Sequence, residues 1–229
     1  MGYVVEFCGL PGAGKSTLAR AVVAQLRLRA IPTTEVMVTL GPDAGRLARV
    51  VRKVGVIGRG AFEPGSVAIA GAVALRSGQR DARDRLARPA NLLVVRHAVR
   101  HAHRRTGVHV LDQGPVQEWW SAALRADDAQ ILKLAESDPA EHSDLLIRVD
   151  TPLGLLVERL EARGPRQSRI ESLSPTDRLR ELQRGELLLD SLTDRLVHSP
   201  GVHSTDLQRV DGLDPAAPEL IAEIVIRRL

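Results

Sequence analysis

Short apolar runs alternate with longer stretches of helical spacing along the 229 residues. Tyr3 to Cys8 is the first apolar run, and Gly9 bounds it, which predicts a strand. From Ser16 to Ala30 the apolar positions Leu18, Ala21, Val22, Leu26 and Leu28 recur near the helical period without a proline, and Ile31-Pro32 ends the pattern. Thr34 to Val38, rich in β-branched residues, predicts a second strand closed by Gly41-Pro42. Residues 43–106 read as three or four helices broken at Gly58-Arg59-Gly60, Pro64-Gly65 and Pro89. Val108 to Leu111 predicts a third strand, ending in Asp112-Gln113-Gly114-Pro115 and followed by helices through Leu124 and from Asp127 to Ser137. A fourth strand spans Leu145 to Val149. Thr151-Pro152 then predicts a capped helix through Leu156, Leu160 and Ala162 that stops at Gly164-Pro165. Ser174-Pro175 opens a helix to about Leu196, and a last strand from Asp206 to Val210 precedes a terminal helix from about Pro215 to Leu229. Strands that alternate with helices predict an α/β fold: a five-stranded parallel sheet with helices on both faces, in one domain covering residues 1–229.

Between the first strand and the first helix lies Gly9-Leu10-Pro11-Gly12-Ala13-Gly14-Lys15-Ser16, a complete G-x-x-x-x-G-K-[ST] phosphate loop. Its glycines let successive backbone N–H groups turn onto an anion, and the helix start adds its positive dipole end. Lys15 is a point charge for the β/γ-phosphates, Ser16 a hydroxyl ligand for Mg²⁺, and Thr17 stands within reach of the α-phosphate. Asp112, at the end of the third strand, is placed to meet either that metal or a substrate hydroxyl. The alternative is an Asp that only caps the helix beginning near Pro115. Glu35 on the second strand is an alternative base.

Composition narrows the field. Lys and Arg number 32 against 28 Asp and Glu, a mixed surface and not a polycation. Nine arginines crowd residues 76–105, but aromatic residues are 2% of the chain, which leaves few stacking platforms for single-stranded nucleic acid. The one cysteine, Cys8, rules out an intrachain disulfide and suits a small buried hydrophobe. Together with a phosphate loop reached within the first nine residues and no apolar run of membrane-spanning length, this predicts a cytoplasmic protein. His97, His101 and His103 share a helical stretch without a carboxylate or cysteine to complete a zinc set.

The segment Gly9 to Thr17, the Asp112 strand end, and the strand, helix and loop from Leu145 to Ile170 resemble the P-loop kinases of the nucleoside monophosphate kinase group, nearest to thymidylate kinase and the deoxynucleoside kinases. The resemblance implies an ATP-dependent phosphotransferase. Gly9, Pro11, Gly12, Ala13, Gly14, Lys15, Ser16 and Thr17 would hold ATP, and Ser16 and Asp112 would hold Mg²⁺. Arg163, Arg166 and Arg169 would sit on a lid of about residues 163–175, Asp211 and Gly212 would line the adenine, and residues 43–106 would form the acceptor side. Such kinases usually carry an arginine after the acidic residue at the strand end. Here it is Gln113, which favours an acceptor with a free hydroxyl and no phosphate unless Arg46, Arg49 or Arg52 substitutes. Glu35, Gln113, Gln117 and Trp119 are the candidate acceptor contacts, with a small molecule and not nucleic acid or membrane as the expected partner. A nucleotide-dependent switch or ATPase acting on a protein partner is the alternative from another class, although neither an Asn-Lys-x-Asp nor a Leu-Ser-Gly-Gly-Gln segment occurs.

Overall fold

The computed structural model describes residues 1–36, 64–76, 82–124, 128–136, 143–163, 170, 173–198 and 205–229. Five strands, β1 (Tyr3–Gly9), β2 (Thr33–Glu35), β3 (Val108–Leu111), β4 (Leu145–Asp150) and β5 (Asp206–Asp211), form one sheet in the order β2-β3-β1-β4-β5. Every pairing is parallel. The described helices are α1 (Lys15–Leu28), α2 (Pro64–Arg76), α3 (Ala82–His103), α4 (Pro115–Ala123), α5 (Asp128–Glu136), α6 (Leu153–Ala162), α7 (Pro175–His198) and α8 (Ala217–Ile226).

β1, β3 and β4 are buried along nearly their whole length because helices cover the sheet on both faces, which is why they read as continuous apolar runs. α1 packs with α8, while α3 packs on α4 and α4 on α7. Phe7, Leu26, Trp119, Leu146, Leu182 and Ile221 are among the fully enclosed side chains of the core. β1 lies at the centre, with Glu6 level with Leu111 of β3 and with Leu146 of β4. The carboxyl ends of β1, β3 and β4 therefore open side by side at the point where the strand order reverses, the place where such sheets bind ligands.

Two local expectations are corrected. Pro89 does not break a helix but lies inside α3. A proline inside a helix, which loses one N–H and crowds the preceding turn, costs roughly 3 kcal/mol, and burial of Leu92, Val95 and Val99 on the same helix, at roughly 1.5–3 kcal/mol each, outweighs it. Thr151 does not cap α6, whose N-cap is Pro152 with no side-chain bond. Its hydroxyl instead donates to the Ala13 carbonyl of the phosphate loop at 3.2 Å. Ser174 does cap its helix: its Oγ accepts from the Asp177 N–H at 3.2 Å and donates to the Asp177 carboxylate at 2.7 Å. Gly58 to Gly60 and Gly164-Pro165 lie outside the described residues. Among the described residues, no helix is long and apolar enough to cross a membrane.

Candidate active site

β1 ends at Gly9 and α1 begins at Lys15, so the intervening turn takes the form that the motif demands. Gly12 and Gly14 both hold φ near +90°, a left-handed conformation that side chains with a Cβ rarely adopt. The Lys15 ammonium folds back along the loop and donates to the Gly9 and Leu10 carbonyls at 2.9 and 3.0 Å. Burial lowers its pKa to about 8, against the favourable charge of Asp112. Arg159, in the last turn of α6, donates to the Gly12 carbonyl at 3.1 Å, and Thr151, just after β4, holds that of Ala13, so both ends of the β4–α6 unit grip the loop from outside. A Cβ added at Gly212, after β5, would lie 2.8 Å from the same Ala13 oxygen, which places Gly212 against the loop, while Asp211 beside it is exposed and accepts from the Leu213 N–H at 2.9 Å.

Asp112 leaves the end of β3 half-buried, and its Oδ2 accepts from the Ser16 hydroxyl at 2.8 Å. Hydroxyl and carboxylate are hard oxygen donors beside a phosphate-binding lysine, a set whose chemistry fits Mg²⁺ with nucleotide oxygens completing its shell. Gln113 is also half-buried. Gln117, one turn into α4, is buried, and its Oε1 faces the Gly9 N–H at 3.4 Å, linking α4 to the first glycine of the loop.

The remaining candidates divide by position. Glu35 ends β2, level with Val110 and so two residues before Asp112. Thr17 is exposed in the first turn of α1, and Pro11 is half-buried in the loop. Arg163 closes α6 as its C-cap, exposed, with its own interactions. Trp119 is enclosed in the core at 1% exposure, a packing position and not the pocket wall expected of it, and Trp120, also buried, donates to the Gly185 carbonyl of α7 at 2.7 Å. Arg46, Arg49, Arg52, Arg166 and Arg169 lie outside the described residues. The His97 and His101 rings stack with centroids 6.2 Å apart, and no group of three or more metal-ligating side chains gathers among the described residues.

Sequence reasoning missed Glu6. A carboxylate in the middle of an apolar strand was the available signal, since a strand at the centre of such a sheet buries every side chain. Glu6 is 1% exposed, its Oε1 accepts from the Val116 N–H at 2.8 Å, and its Oε2 accepts from the Ser143 hydroxyl at 2.8 Å. Burial raises its pKa to about 7 against these hydrogen bonds.

A family model described as an AAA domain matches residues 4–185, from β1 into α7. The chain belongs to this AAA-domain family. Among solved structures, this AAA-domain chain shares its fold with deoxyadenosine kinase from M. mycoides. With the products dCMP and a flexible dCDP bound, that structure gives a TM-score of 0.54 and 12% identity over 98% of this chain and 97% of that one. The same kinase with bound dATP gives 0.54 and 12% over 98% and 100%, and with bound dCTP 0.50 and 12% over 98% and 99%. The five-stranded parallel P-loop fold expected from the sequence is thus the fold of this AAA-domain chain. The finer likeness to thymidylate kinase is not singled out, and no curated protein is significantly similar in sequence.

Proposed function

We propose that this protein is an ATP-dependent phosphotransferase that moves the γ-phosphoryl group of Mg-ATP to a hydroxyl of a small molecule. The observation that carries the reading is the Ser16–Asp112 contact at 2.8 Å, which joins the phosphate loop to the end of β3 beside Lys15. The loop amides from Gly9 to Thr17 hold the phosphates, and Lys15 exchanges the Gly9 and Leu10 carbonyls for phosphate oxygens. Bound Mg²⁺ would neutralise developing charge on the phosphoryl oxygens. Asp112 orients the acceptor hydroxyl or fixes the metal, Arg163 meets the transferring group, and Arg159 holds the loop in shape through the Gly12 carbonyl. Gly212, against Ala13, borders the nucleotide together with the adjoining Asp211. Gln113 and Glu35, near the end of β3, meet the acceptor.

The shared fold with a deoxyadenosine kinase favours a nucleoside as acceptor, and the neutral Gln113 agrees with an acceptor hydroxyl that has no phosphate beside it. A guanidinium–phosphate hydrogen bond is roughly twice as strong as a neutral one, so a monophosphate loses more than a nucleoside when the arginine is replaced. The test is an ATP-consumption assay with nucleosides, nucleoside monophosphates and hydroxylated natural products, with product identified by mass. Turnover of a phosphate-free acceptor that Lys15→Ala abolishes is expected. A monophosphate as best acceptor overturns the acceptor class, and phosphoryl transfer to none of them overturns the transferase reading in favour of a nucleotide-driven switch.

A further inference from the structure

α4 starts two residues beyond Gln113, yet its N-cap, Gly114, supplies no side-chain hydrogen bond. A helix start with no cap leaves N–H groups without partners, and in this buried turn water does not replace them. The partner comes from another strand. Glu6 of β1 presents Oε1 to the Val116 N–H at 2.8 Å, and the Gln117 N–H points to the same carboxylate. Ser143, just before β4, donates to Oε2 at 2.8 Å, so the carboxylate ties β1, the start of α4 and the start of β4 together. Gly114 records how tightly it is held. Its φ of −123° suits any residue, but an added Cβ would lie 2.3 Å from the Glu6 carboxyl carbon. The glycine is needed for space. The turn held in this way carries Asp112, bonded to Ser16, at one end and Gln117, facing the Gly9 N–H, at the other.

We propose that Glu6 is a positioning residue: its buried carboxylate replaces the missing cap of α4 and holds the Asp112–Gln117 turn in register with the phosphate loop. The proposal rests on the phosphotransferase reading for its consequence but not for its geometry. Glu6 is enclosed at 1% exposure, and it acts through the amides of Val116 and Gln117 on where Asp112 stands relative to Ser16. A residue that orients a metal ligand from behind typically changes metal affinity or activity by roughly 10–100-fold when removed.

The experiment compares the full chain with Glu6→Ala, Glu6→Gln and Gly114→Ala. Hydrogen exchange is read at the amides of Gln113, Gly114 and residues 116–118, Mn²⁺ affinity in the presence of ATP by electron paramagnetic resonance, and metal-free ATP affinity by calorimetry. For Glu6→Ala, protection at Val116 and Gln117 falls and Mn²⁺ affinity drops about tenfold, while metal-free ATP affinity stays within about twofold. Glu6→Gln keeps an oxygen for the Val116 N–H and restores most of both losses. Gly114→Ala pushes the carboxylate aside without changing charge, and reproduces the Glu6→Ala loss should that variant fail to fold. Unchanged Mn²⁺ affinity in a folded Glu6→Ala or Gly114→Ala protein, with only the melting temperature lowered, overturns the proposal. Absence of phosphoryl transfer in the wild type would remove the kinase reading, whereas exchange and Mn²⁺ affinity still decide the role of Glu6.

Discussion

Lys15 shows how a single side chain can be held away from its ordinary state until a ligand arrives. The Lys15 ammonium is buried against two carbonyls, and desolvation pushes it down to about 8. Above that pH the free, metal-free protein holds Lys15 neutral, and phosphates draw the proton back. Nucleotide affinity is therefore flat below pH 8 and falls above it, by at most about tenfold per pH unit. Calorimetry at pH 9 in buffers of different ionisation enthalpy reads this as proton uptake on binding, which disappears in Lys15→Met. Asp112 gives a different signature because its contact is with Ser16 and not with the loop amides. Asp112→Asn lowers kcat by about 10²-fold or more while ATP affinity changes little. An Asn variant that keeps its rate and loses only thermal stability would show that Asp112 merely shapes the turn before α4.

At the scale of elements, the β4–α6 junction and α7 clamp the loop side of the sheet. Thr151 reaches the Ala13 carbonyl from this junction, and Arg159 reaches that of Gly12 from the last turn of α6. Behind it, Arg148 of β4 is 2% exposed and bonds Asp150 at 2.9 Å and Asp190 of α7 at 2.5 Å, while Arg209 of β5 reaches Asp150 at 2.9 Å. Removing one partner of a fully buried pair costs about 3–5 kcal/mol. Asp190 is 38% exposed, so solvent screens part of that loss. Asp190→Ala is expected to cost about 2 kcal/mol in urea unfolding, because Arg148 stays buried with one carboxylate fewer. Arg148→Met removes the charge together with its need for partners and is the milder change. Equal losses in the two variants would mean that the network contributes packing alone.

For the whole molecule, what the sequence makes legible is what local geometry encodes. The phosphate loop is spelled out in consecutive residues, and the order of strands and helices follows from hydrophobic period and from turn chemistry such as Ser174 before α7. Illegible are the contacts closed over long separations. Glu6 finds Val116 and Ser143 at distances of 110 and 137 residues along the chain, and Thr151 finds Ala13 at 138. Pro89 misleads for the same reason, since the packing that keeps α3 helical comes from the tertiary fold. Glu6 also gives the folded chain a pH dependence that its composition does not announce. Burial raises its pKa from an ordinary 4.5 to about 7, so between those values the native state keeps a proton that the unfolded chain has lost. The stabilisation from this group is complete below pH 4.5, declines as pH rises, and is gone above 7. At roughly 1.4 kcal/mol per pH unit the total is on the order of 3 kcal/mol. Glu6→Gln has no such proton to lose. The unfolding free energy of the variant minus that of the wild type, measured by urea titration from pH 4.5 to 8 without metal or nucleotide, should rise steadily to pH 7 and then level. A difference that stays constant across the range would mean that the Glu6 carboxyl is already ionised at pH 5, held by the Val116 amide and the Ser143 hydroxyl against its burial.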